Sequence, residues 1–173
     1  MQSILPEYVD LMQKAKLGCE IAGEWPVSKL DRLADLLLSD TPVVTARLTL
    51  GREGRLHYLQ GQVAVTVEVT CQRCMQPMQL PLNCDVRLGL ISEEAQADRL
   101  PEGYEPLLVE DGKMSLPAIL EDELLLAMPL VAMHDFDCSD YMQQQKQQQA
   151  VEEDQMNAEK EKNNPFSVLK DLL

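Results

Sequence analysis

The sequence predicts an α+β domain in which an antiparallel β-sheet over about residues 43 to 91, a meander able to curl toward a barrel, packs against two or three helices ahead of a flexible tail. Three observations carry this. Val63, Val65, Val67 and Val69 alternate with Gln62, Ala64, Thr66, Glu68 and Thr70, the period of a half-buried strand. Leucines recur at helical spacing on either side of that region. After Tyr141 the chain becomes a glutamine-rich polar run with almost nothing to pack.

In chain order, PEYVDLMQKAK (residues 6 to 16) reads as a short helix, and LGCEIAGEW as an extended piece ending at Trp25. Pro26 and Ser28 open a clearer helix, SKLDRLADLLLSD, with Ser28 as N-cap, Asp31 three residues later, and Leu30, Leu33, Leu36 and Leu37 on one face. From Val43 the period drops to two through VVTARLTL, a GREG turn, RLHYLQ, Gly61 and QVAVTVEVT, followed by the strand pattern MQLPLNCDVRLGLI. The loop SEEAQADRLPEGY leads to a strand, EPLLVE, closed by a turn at Asp111 and Gly112. The last helix, PAILEDELLLAM, has Pro117 near its first position and offers Ile119, Leu120, Leu124 and Leu126 for burial. Its acids Glu121, Asp122 and Glu123 stand early in the helix, where they favour the macrodipole.

This places one α+β domain at 1–141, a polar low-complexity linker at 142–163, and a short C-terminal docking motif at 164–173. In that motif, NPFSVLKDLL, Asn164 caps, Pro165 fits the first helical position, and Phe166 and Leu169 lie along one side with Leu172 or Leu173. The apolar side is suited to a partner or to the chain's own core.

At 173 residues and 45% apolar content the chain can build one sizeable core. Its first residues lack a basic start followed by an apolar run, and no apolar stretch reaches the length of a membrane span, so a soluble, cytoplasmic protein is expected. Five cysteines in a reducing compartment point to metal binding or plain burial rather than disulfides.

The net charge of -14 argues against coating a phosphate backbone, but the charge is uneven. Residues 44 to 90 carry five arginines, Arg47, Arg52, Arg55, Arg73 and Arg87, against three acids, whereas both flanks are net acidic. RNA contact is therefore expected on those arginines, the alternative being that they merely solvate the outer face of a sheet. The acidic flanks suit a basic protein partner.

The sharpest motif is CQRC, in which Cys71 and Cys74 can chelate one metal ion from a tight knuckle. A redox pair would need its first cysteine at a helix N-terminus, and here a strand pattern follows. His134 and Cys138, in HxxxC spacing, can complete a tetrahedral zinc centre; Cys84 is a rival ligand, and reduced cysteines packed in a small core are the other reading. His57 lies in a strand between Leu56 and Tyr58 with no nucleophile suggested by spacing. No phosphate loop or nucleophile elbow is present, so no catalytic residue is assigned and no small-molecule substrate is expected.

CQRC after a valine-rich strand, LPEGYEPLLVEDGKMSL, LEDELLLAMPLVAMH and the terminal NPFSVLKDLL together resemble the YceD family, the large ribosomal RNA subunit accumulation proteins. The resemblance covers about residues 17 to 138 and the last ten. It implies a non-enzymatic cytoplasmic role in bacteria in the synthesis, processing or accumulation of large-subunit ribosomal RNA, with an rRNA precursor or a basic ribosomal protein as partner. A zinc-dependent RNA-processing or redox module is the alternative. Members of the family place a cysteine-rich cluster after the acidic helix; this chain has only His134 and Cys138 there, and the likeness is firmest at Cys71, Arg73 and Cys74.

Overall fold

The period-two segments form three long strands, β3 (Val43–Glu53), β4 (Leu56–Thr70) and β5 (Pro77–Ile91), joined by tight connections into an antiparallel meander. The computed structural model describes residues 4–109 and 113–138. Ahead of the meander come β1 (Tyr8–Val9), α1 (Leu11–Leu17), β2 (Cys19–Pro26) and α2 (Asp31–Ala34). After it come β6 (Glu105–Leu108), β7 (Met114–Ser115) and α3 (Leu116–Ala127).

The main sheet has the order β2-β3-β4-β5-β6. Every neighbouring pair is antiparallel except β5 with β6, so the sheet is mixed. It is open, with β2 and β6 at its edges, and does not close into a barrel. The parallel β6 follows from its connection, in which a 3-10 turn at Glu94–Arg99 carries the chain back before Glu105.

One face of the sheet is the core. Val44, Leu48, Leu50, Leu59, Val63, Val67, Val86 and Leu88 are buried there, with α1 packing over β3 and β4 and α3 over β5. Leu11 of α1 and Leu116, Leu120 and Leu124 of α3 are fully enclosed, each worth roughly 1.5–3 kcal/mol of transfer free energy. Asp10 caps α1 by accepting from the Gln13 N–H at 2.8 Å, and Ser115 caps α3 by accepting from the Ala118 N–H at 3.4 Å. Gly61 sits where a Cβ would lie 2.0 Å from the Arg47 carbonyl oxygen and 2.8 Å from the Leu48 Cα, so only glycine lets β3 and β4 approach here.

The expected helix from Ser28 is shorter than its leucine stripe suggests. A 3-10 turn at Val27–Lys29 precedes α2, and no side chain of Ser28 caps either element. The reason lies in two tertiary bonds. The Leu33 N–H donates to Oε1 of Glu121 on α3 at 3.1 Å, and the Leu38 N–H donates to the Glu68 carbonyl of β4 at 2.9 Å, which draws the chain off the helical path. Leu30 and Leu33 are buried as expected, whereas Leu36, and likewise Leu126 of α3, point to solvent. Glu121 is therefore a buried cross-helix partner rather than a macrodipole acid: it also accepts from Arg32 Nε at 2.9 Å. The expected turn at Asp111 and Gly112 and the segments 142–163 and 164–173 lie outside the described residues.

Candidate metal centre

At the end of β4 the chain reverses through Cys71, Gln72, Arg73 and Cys74 before entering β5. The Met75 N–H donates to the Cys71 carbonyl at 2.9 Å, and the Cys71 N–H to the Gln76 carbonyl at 2.9 Å. Met75 adopts the left-handed conformation with φ 58°, which tightens the knuckle so that both sulfurs point to one side. The segment after α3 docks on this knuckle: the Gln72 N–H donates to the Ala132 carbonyl at 2.8 Å, and Ala132 is itself buried.

Docking brings the second half-site into place. One ligand atom each from Cys71, Cys74, His134 and Cys138 lies within 4.8 Å of the others. Cys71 Sγ is 3.7 Å from Cys138 Sγ, and Cys74 Sγ is 3.5 Å from His134 Nδ1. Around a tetrahedral zinc with Zn–S near 2.3 Å and Zn–N near 2.0–2.1 Å, the S···S and S···N edges come to about 3.8 and 3.6 Å. The donor set and its spacing fit that ion. Four protein ligands are the number a structural zinc site uses when no position is left open.

Arg73 organises this centre. Its Nε donates to Cys138 Sγ at 3.2 Å, and its Nη2 donates to the His134 carbonyl at 2.9 Å and to the Phe136 carbonyl. Three thiolates and a neutral imidazole around a divalent ion carry one net negative charge, which the guanidinium offsets. The Cys138 sulfur in turn raises the Arg73 pKa. Burial pushes the Cys71 thiol up, but N–H groups of Cys74, Arg73 and His134, together with the Cys74 side chain, outweigh it and hold Cys71 at about 5. Cys74 is raised: the Gln76 N–H lowers it, but burial and the Cys138 and Cys71 sulfurs prevail. The rings of His134 and Phe136 pack at 4.8 Å, which fixes the imidazole plane.

Cys84 is not a ligand; its thiol donates toward the Glu123 carbonyl at 3.6 Å, on the α3 side of β5. Cys19 is opposite Leu50 in the β2–β3 pair, also away from the centre.

The five arginines do not form one surface. Arg47 and Arg87 are on the outer face of the sheet, in register with Gln62 and Gln60, whereas Arg52 is opposite His57 at the hairpin end with the parity of the core face. Arg55 is in the turn between β3 and β4. Arg73 is at the far end of β4, whose 15 residues span roughly 45 Å, and its donors are committed to the 134–138 segment. Phe166 and Leu169 fall outside the described residues. Two features of the outer face escaped the sequence reading. Tyr58 is in register with Gly51 and Gly89, and its ring occupies the space a side chain at Gly51 would need. Tyr104 packs against it with ring centroids 6.3 Å apart and donates to Gln60 Oε1 at 3.3 Å. Neither glycine nor tyrosine announced this, because the pairing depends on register.

The fold and the site define an α+β protein whose one-sided sheet ends in a three-cysteine, one-histidine centre. Residues 59–173 match the family model described as "Large ribosomal RNA subunit accumulation protein YceD", and the chain belongs to that family. A relative from Haemophilus influenzae named "Large ribosomal RNA subunit accumulation protein YceD" is 33% identical over 177 residues, covering 99% of this chain and 98% of its own length. No solved structure matches the chain.

Proposed function

We propose that this protein supports accumulation of large-subunit ribosomal RNA as a non-enzymatic cytoplasmic adaptor that binds an rRNA precursor or a basic ribosomal protein. The family's name supplies the process. The observation that carries the mechanism is the outer face of the sheet. Among the described elements neither α1 nor α3 covers it, and it presents Arg47 and Arg87 with the amides of Gln60 and Gln62 beside the Tyr58–Tyr104 pair. Guanidiniums, amides and aromatic rings on an open sheet suit unpaired RNA, which offers phosphates and base faces together. A closed four-ligand centre supports the non-enzymatic reading, since a catalytic zinc keeps one position for water. No helix among the described residues is long and apolar enough to cross a membrane.

The test is complementation of a deletion strain. Deletion is expected to lower large-subunit relative to small-subunit rRNA, and a variant with Arg47, Arg52, Arg55 and Arg87 all changed to Glu is expected not to restore the ratio while keeping the wild-type melting temperature. Arg73 is left intact, because replacing it disturbs the knuckle. Full restoration by the fourfold variant would move the working surface to the tail, to Phe166 and Leu169. Pull-down with and without nuclease separates RNA from protein partners.

A further inference from the structure

A cleft of about 560 Å³ opens at the hairpin end of the sheet, remote from the metal centre. Arg55, from the β3–β4 turn, and Arg99, from the 3-10 turn after β5, both line it and are both exposed. Among the described residues neither guanidinium is paired with an acid, whereas Arg32 and Arg47 are. Both stay hydrated and charged, and in a chain of net charge -14 they make a local cationic patch that an anion can approach. His57 also lines the cleft; burial lowers its pKa, and Arg52 and Lys16 lower it further, so the charges around it are cationic.

The rest of the lining is mixed, with an apolar part beside Ser92 and Gln96. Leu56, Leu90, Leu100 and Pro101 face the same space, and Leu100 lies over Gly89, where any larger residue would displace it. Gln96 joins them, its side-chain oxygen accepting from the Ser92 N–H at 3.0 Å, which leaves its amide N–H group as a donor. Unpaired guanidiniums beside apolar side chains and a fixed amide match a ligand with a phosphate at one end and a hydrogen-bonding ring at the other.

We propose that this cleft is a nucleotide pocket, in which Arg55 and Arg99 take a phosphate and the Leu100–Pro101 wall takes the base. The proposal rests on the RNA-directed reading above and deepens it: the outer face would track a strand, and the cleft would receive one of its nucleotides. The phosphate and base can belong to a free mononucleotide or to the 5′ end of a single strand.

The experiment uses the full chain with fluorescent uridine 5′-monophosphate as probe, read by anisotropy. Binding is expected to be displaced by unlabelled uridine 5′-monophosphate and not by uridine. The Arg55→Gln/Arg99→Gln variant is expected to weaken it by about tenfold for each guanidinium removed. Both substitutions are at exposed positions, and Lys29→Gln, an exposed cation beside Trp25 and outside the cleft, is expected to leave probe affinity unchanged. Competition by 5′-phosphorylated hexauridylate, but not its 5′-hydroxyl form, would identify a strand end as the source. Competition by the mononucleotide alone would identify a free nucleotide, and either result supports the pocket. Absence of probe binding to the wild type, or equal binding by Arg55→Gln/Arg99→Gln, overturns it. An unchanged rRNA ratio in the deletion strain would instead sink the proposed function and leave the pocket standing.

Discussion

Cys71 Sγ and Cys138 Sγ lie 3.7 Å apart although 67 positions separate them, at the S···S edge of a tetrahedral zinc site. Purified protein is therefore expected to carry about one zinc per chain by inductively coupled plasma mass spectrometry. Cys138→Ser should lower both zinc content and melting temperature, because metal free energy here is folding free energy. Cys84→Ser, whose thiol faces Glu123, should keep the full complement. Wild-type zinc near zero would remove the centre.

Arg73 holds Cys138 and two carbonyls of the segment that supplies His134. Arg73→Gln is expected to weaken zinc about 10- to 100-fold, measured by competition with a chromogenic chelator. Arg47→Gln, on the outer face, serves as the control; equal affinities in the two variants would deny Arg73 its role.

Glu121→Ala should cost about 1–3 kcal/mol in urea denaturation, because it strands the buried Leu33 N–H. Arg32→Ala should cost less, since the Arg32 side chain is 55% exposed and its ion pairs are partly screened. The reverse order would mean that the ion pair, not the helix cap, is what matters.

Burial holds the Glu123 carboxyl above the usual carboxylate range, with Glu105 and Asp122 adding to it. A raised folded-state pKa means the folded chain takes up the proton more readily than the unfolded one. The group thus supports folding below its unfolded value of 4.5, and that support is lost as pH rises through the folded value. Glu123→Gln should accordingly raise the melting temperature at neutral pH, with the gain fading as pH falls through the folded value and gone below 4.5. A gain independent of pH would point to another cause.

Gly61→Ala should destabilise by about 2 kcal/mol or more, because the new Cβ meets backbone of β3 rather than a movable side chain. Amide exchange should accelerate on both sides of the β3–β4 pair; wild-type protection at Arg47 and Leu48 would contradict the close approach.

Most of the sheet was legible because a half-buried strand must alternate, and Val63 to Val69 do so without interruption. The convergence of Cys71, Cys74, His134 and Cys138 was legible from two short spacings, since few other ligand-type residues compete. What stayed hidden depends on tertiary bonds. The start of α2 is capped by Glu121 and its stop is set by the Glu68 carbonyl, both on distant elements. The parallel β6 depends on how a connection crosses, and the scattering of the five arginines depends on strand register and on Arg73 turning inward. Arg99 was hidden for the same reason, since only the fold brings it to Arg55.

The two halves of the metal centre differ in when they can exist during folding. Cys71 and Cys74 belong to a local turn that can form as soon as β4 ends, whereas His134 and Cys138 reach it across 60 and 67 positions. That closure carries a loop entropy cost which only the intervening strands and α3 can offset. On a chain emerging from N to C terminus, an early zinc ion would be held by two thiolates and exchange readily. Full capture would come only when the segment after α3 docks through Gln72 and Arg73, so retention of the ion would report that the domain's last described segment has arrived.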